Sequence, residues 1–171
     1  EALLALLKDV GMDGRFEYKW VSASEGQLFA EVVSDFTDKV RAIGPTPVPG
    51  DEAINFRLKA AQREMGDFRL RWLMGRQRQI LEDGDVYGQE RSQEEWDEVM
   101  SKVLRDQFIR AQIIERTLQS PASVEDMAEL IRADTVEIFR HVQRLRGQGH
   151  VIMAGHRDLS PLYKATGVNL E

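Results

Sequence analysis

Three features of the sequence predict a mainly α fold with minor β. Apolar residues recur at helical spacing through residues 51–118. A proline-rich stretch at 45–50 cuts that region off from a short helix–strand–helix segment, and the last third carries short helical patterns that close on a hairpin pattern. The order in that last third (helix, short helix, turn, longer helix, β-hairpin) is that of a winged helix-turn-helix. The expected division is a remnant α-β-α unit at 1–44, a linker at 45–50, a helical hairpin at 51–104 and a winged helix at 105–171.

Residues 1–11 read as an amphipathic helix stopped at Gly11. Its apolar opening is short, lacks a basic start and runs into Lys8-Asp9, so it makes a poor signal peptide. The chain opens on Glu1 in mid-helix, and a fragment or a processed C-terminal part of a longer polypeptide is expected. Phe16, Tyr18 and Trp20 alternate with Glu17, Lys19 and Val21, the period of a strand with one aromatic face. Ser22 and Glu25 have capping-box spacing, and Phe29, Val32, Val33, Phe36 and Val40 carry the following helix to Gly44. One strand cannot form a sheet, so this segment is either the last unit of a larger parallel α/β domain or pairs with another chain.

After Pro45, Pro47 and Pro49, the residues Ile54, Leu58, Ala61, Met65, Phe68 and Trp72 step by fours and threes. This is a seam of seven-residue period, whose usual meaning is core packing or a partner helix. One helix is expected from Asp51, weakening near Gly75 and ending before Gly84. Basic residues (Arg57 to Arg78) lie on it, and acidic ones (Glu82, Asp83, Asp85, Glu90, Glu94, Glu95, Asp97, Glu98) follow. An antiparallel hairpin would bring the two signs together. Ser92 and Glu95 open the next helix, which buries Trp96, Val99, Val103 and Leu104 and continues through Ile109, Ile113, Ile114 and Leu118, with a break expected near Asp106.

Ser123 and Asp126 cap a short helix carrying Val124, Met127, Leu130 and Ile131. After the turn Arg132-Ala133-Asp134, Thr135 is read as the cap of a helix whose Val136, Phe139, Val142 and Leu145 point inward. His150–Met153 and Leu162–Lys164 then form the hairpin, with a polar tip at Gly155–Asp158. In such domains the second helix of the motif enters the major groove. Its exposed face and the wing here offer Arg140, His141, Arg144, Arg146 and Arg157 as candidate contacts to DNA or to a protein partner.

Charge weighs against phosphate binding as the main task. The 171-residue chain carries a net −6, and residues 120–171 hold six Lys/Arg against seven Asp/Glu. No cysteine is present, which excludes disulfides, thiolate metal sites and a cysteine nucleophile, and fits a reducing cytoplasm. No apolar run has the length of a membrane span. No phosphate loop, His–carboxylate pair or nucleophile elbow stands out, and the three histidines (141, 150, 156) have no spacing that forces a metal site. No catalytic, cofactor-binding or metal-ligating residue is therefore assigned, and whether the chain belongs to an enzyme is left open.

Leu145-Arg146-Gly147-Gln148-Gly149-His150-Val151 resembles the helix-to-wing junction of many bacterial regulators. Trp20-Val21-Ser22-Ala23-Ser24-Glu25-Gly26, with Phe29-Ala30-Glu31-Val32-Val33 and Gly44-Pro45, resembles the C-terminal end of the delta (iron–sulfur) subunit of methyl-viologen-reducing hydrogenases, which also occurs fused to heterodisulfide-reductase-like proteins. The resemblance covers roughly residues 1–48 and implies a flavodoxin-like domain that holds a [2Fe-2S] cluster and passes electrons between subunits. Its cluster cysteines lie upstream of the matched segment, so no ligand carries over to any position here. The reading implied is the non-catalytic C-terminal part of a cytoplasmic electron-transfer subunit, with redox-complex proteins as partners and the winged helix in protein docking. The alternative is a winged-helix transcriptional regulator that binds DNA.

Overall fold

The computed structural model describes residues 2–84 and 87–167, so Asp85 of the acidic run lies outside the described residues, as does Glu171. Seven helices and one two-stranded antiparallel sheet are found among the described residues. The chain divides into two units, residues 1–55 and 56–171.

In the first unit, α1 (Ala2–Asp9) buries Leu6, and Val10 just beyond it is buried as well. Gly11 and Gly14 follow at positive φ (83° and 70°), the backbone region where a side chain is strained. At Gly14 an added Cβ would also meet Ile43 Cδ1 at 2.9 Å, so the turn needs glycine for space too. The turn aims Arg15, whose guanidinium donates to the carbonyls of Gly44 (3.1 Å) and Pro45 (2.9 Å) at the end of α2 (Gly26–Ile43). Two expectations are corrected here. Residues 16–22 form no strand, because no ladder partner exists for them among the described residues. Their side chains stand out instead: Phe16, Tyr18 and Trp20 are exposed, and Glu17 pairs with Lys19 (2.9 Å) and Lys39 (3.0 Å). The helix starts at Gly26 rather than Ser22; Glu25 accepts from the Ser22 amide (2.9 Å), but the reciprocal Ser22 bond is not made and Glu25 is the N-cap. No residue of α2 is fully buried, and Phe29 and Val33 on its apolar stripe are exposed.

The single helix expected from Asp51 is two, α3 (Glu52–Met65) and α4 (Phe68–Glu82). Gly66 interrupts it, and Asp67 starts a new helix by accepting from the Leu70 amide at 3.0 Å. The seven-residue seam therefore does not continue: Ile54 and Ala61 are buried, but Phe68 and Trp72 are exposed. Gly75, where weakening was expected, lies inside α4. α5 (Gln93–Gln119) opens with the expected capping box of Ser92 and Glu95 and runs unbroken past Asp106 for 27 residues, about 40 Å at 1.5 Å per residue. Among the described residues, Arg63 pairs with Glu115 (2.6 Å), between α3 and α5, and Arg78 with Glu82 (3.0 Å) within α4.

α6 (Val124–Ile131) has the predicted Ser123/Asp126 capping box. Arg132, left-handed at φ 59°, ends it. The cap of α7 (Thr135–Gly147) is Asp134 and not Thr135; its carboxylate accepts from the amides of Val136 (2.9 Å) and Glu137 (3.2 Å). The hairpin is longer than expected, β1 (Val151–Arg157) pairing with β2 (Ser160–Ala165) around a tip at Asp158-Leu159, with an irregularity between Met153 and Gly155. Ala122 and Tyr163 exchange backbone hydrogen bonds (3.0 and 2.8 Å), which ties the α5–α6 connection to β2. One core joins these parts: Ile109 and Ile113 of α5, Met127 of α6, Ile138 and Val142 of α7, and Val151 and Tyr163 of the hairpin. No described helix is long and apolar enough to cross a membrane.

Candidate functional site

The five candidate contact residues do not share one environment. Arg140, Arg144 and Arg146 are exposed on α7. His141 is buried between α5 and α7, where its Nδ1 accepts from Arg110 Nε at 3.4 Å. Arg157 is turned back onto α6, donating to Asp126 (2.7 Å) and to Ser123 Oγ (3.3 Å). That bond holds the Asp126 carboxyl below its usual range, with the Ser123 amide adding to it, and raises Arg157 in turn. Arg157 thus fastens the hairpin to the start of α6.

The inward face of α7 differs from the one expected. Ile138, His141, Val142 and Leu145 are buried, whereas Val136 and Phe139 are 59% and 48% exposed. These two side chains, with Val124, Pro161 and Tyr163, line an open groove of about 320 Å³ on the surface formed by α6, α7 and β2. Leu130, Ile152, Met153 and Leu159 add further exposed apolar surface on the same unit. α7 therefore presents apolar side chains beside its exposed arginines.

Asp106, Glu137 and His141 bring one potential metal-ligating atom each to within 4.8 Å of one another. All three are already engaged by protein groups. Arg105 donates to both Glu137 oxygens (3.1 and 3.3 Å), and Arg110 lies 3.7 Å from Asp106 while donating to His141. Accepting at Nδ1 leaves the ring proton on Nε2, which faces Asp106 at 3.9 Å. Burial holds His141 below its usual pKa, against the pull of Asp106. The Arg105–Glu137 ion pair and the Arg110–His141 hydrogen bond thus cross-link α5 and α7.

A polar chain that the sequence reading missed runs through this region. Asp67 caps α4 and accepts from Gln107 Nε2 (3.0 Å); Gln107 accepts from Arg110 Nη1 (2.6 Å); Arg110 reaches His141. Its signal was Gln107 just before, and Arg110 and Gln112 within, the apolar run Phe108–Ile114, all three of them buried. α5 is enclosed on several sides there, by α4, α6, α7 and β2, so even its polar positions leave solvent.

No solved structure matches the chain. The model of the methyl-viologen-reducing hydrogenase delta subunit family matches residues 1–44, about a quarter of the chain, and that segment is similar to this family.

Proposed function

We propose that the chain is the C-terminal, non-catalytic part of a cytoplasmic electron-transfer subunit in a complex with hydrogenase or heterodisulfide-reductase proteins. In this reading residues 105–167 form a winged helix-turn-helix that docks onto protein. The match of residues 1–44 to the hydrogenase delta-subunit family carries the assignment to a redox complex. The exposed Val136 and Phe139 on the second helix of the motif support docking over DNA reading. Exposed Phe16, Trp20, Phe29 and Val33 in the first unit are apolar surface of the kind that a further layer of a flavodoxin-like domain would cover. The family's [2Fe-2S] cluster needs thiolates, and this chain has no cysteine to give, so no redox step is assigned to its residues.

The test is reconstitution with purified hydrogenase and heterodisulfide-reductase subunits of the same organism, followed by size-exclusion chromatography. Co-elution that Phe139→Glu abolishes is expected; separate elution of the unaltered chain overturns the reading. Exposed Arg140, Arg144 and Arg146 favour the second reading, a DNA-binding regulator. Salt-sensitive retention on duplex DNA that Arg140→Ala with Arg144→Ala removes would establish it instead.

A further inference from the structure

The start of α4, the middle of α5 and the end of α7 enclose a cavity of about 250 Å³ within the second unit. Four arginines line it: Arg63, Arg69, Arg110 and Arg144. Arg63 is paired with Glu115 at 2.6 Å. Arg69 and Arg144 form no ion pair among the described residues, and both are exposed. Arg110 is 8% exposed; its Nη1 and Nε donate to Gln107 and His141, and its Nη2 has only Asp106 at 3.7 Å, longer than a good charge-assisted bond. Two carboxylates line the wall as well. Asp67 is occupied by the Leu70 amide and Gln107, and Glu64 is buried.

Glu64 and Asp67 offset part of the positive charge, but Arg69 and Arg144 still bear on Arg110, and an anion seated between these guanidiniums would relieve their mutual repulsion. The strain is visible on Arg110: burial lowers its pKa, and the neighbouring charges of Arg144 and Arg69 lower it further, against Asp106 and Asp67. A carboxylate presents two oxygens and one charge, enough for one guanidinium fork. A phosphoryl group presents three terminal oxygens and up to two charges, which matches three guanidiniums approaching from three helices. The cavity is at the small end for ligand pockets, with room for a phosphate carrying a short carbon chain.

We propose that this cavity binds a small phosphoryl-bearing ligand, held by Arg69 and Arg144 at its mouth with buried Arg110 behind them. The site is separate from the groove at Val136 and Phe139, and it does not depend on the redox-complex reading. Because Arg144 belongs to α7, occupancy withdraws one arginine from that helix's exposed face.

The test is isothermal titration of the full chain with inorganic phosphate and with glycerol 3-phosphate, using acetate at matched ionic strength as control. Arg69→Gln, Arg144→Gln and the double variant are run in parallel, their folding checked by circular dichroism and unliganded thermal midpoint. At least one phosphate is expected to bind, acetate not, with affinity falling about tenfold for each single variant. Tighter binding of glycerol 3-phosphate assigns the site to a phosphomonoester, and equal binding to free phosphate. The proposal is overturned if neither binds below about 10 mM, or if the double variant binds as the unaltered chain does. Arg69 belongs to α4 and not to α7, so its effect separates this cavity from DNA contact through α7.

Discussion

Arg132 closes α6 in the left-handed region at φ 59°, a conformation that costs a side chain roughly 1–2 kcal/mol and glycine little. Arg132→Gly is therefore expected to raise stability by about 0.5–1 kcal/mol, after the entropy that glycine adds to the unfolded chain. Urea unfolding measures it. His141 gives a pH dependence of definite sign. Its folded pKa lies below the unfolded value near 6.5, because burial outweighs Asp106 and Glu137. The unfolded chain then takes up its proton first as pH falls. The stability from neutral His141 is full above pH 6.5 and declines below it, toward the lowered folded value. Unfolding free energy followed from pH 8 to 5 should show that decline, and His141→Gln should flatten it; an unchanged slope in the variant assigns the dependence to other groups. His141 was legible as a residue of α7 but not as a buried one, because nothing in the sequence marks Arg110 as its partner.

Among elements, the two helices that open with a capping box, α5 and α6, were read most faithfully. Ser92/Glu95 and Ser123/Asp126 form the capping boxes their spacing predicts, since the motif is local and needs no tertiary information. Ser123→Ala is expected to cost about 1 kcal/mol by freeing the Asp126 amide. It also removes an acceptor from Arg157, so loosening of the hairpin should appear as faster amide exchange in β1. The errors have physical causes. Val136, Phe139, Val142 and Leu145 step by threes, and nine residues at about 100° each put Val136 and Leu145 on opposite sides of a helix. The stripe Ile138, Val142, Leu145 spans seven residues and stays on one face, which is the face that is buried. The seam from Ile54 to Trp72 was regular enough to hide Gly66-Asp67, whose side-chain cap restarts the chain as α4. Residues 16–21 alternate as a strand does, but alternation supplies a face and not a partner.

At the scale of the molecule, residues 109–165 share a core built from α5, α6, α7 and the hairpin, whose order and approximate limits the sequence pattern indicates. The groove at Val136 and Phe139 was not legible, because it depends on which side of α7 the core takes. The cavity between α4, α5 and α7 was hidden for a second reason: it joins Arg69 to Arg144, 75 positions apart. Contact through Val136 and Phe139 differs from phosphate contact in its response to salt. Apolar burial is almost insensitive to it, whereas neutralising several phosphates makes affinity fall steeply. The most direct measurement is the affinity of the unaltered chain and of Phe139→Glu for the purified hydrogenase–heterodisulfide-reductase complex at low and high salt. Binding that Phe139→Glu weakens at least tenfold, and that changes little with salt, is the predicted result. Absence of binding to the complex, together with retention on duplex DNA that salt or Arg140→Ala with Arg144→Ala abolishes, would contradict it.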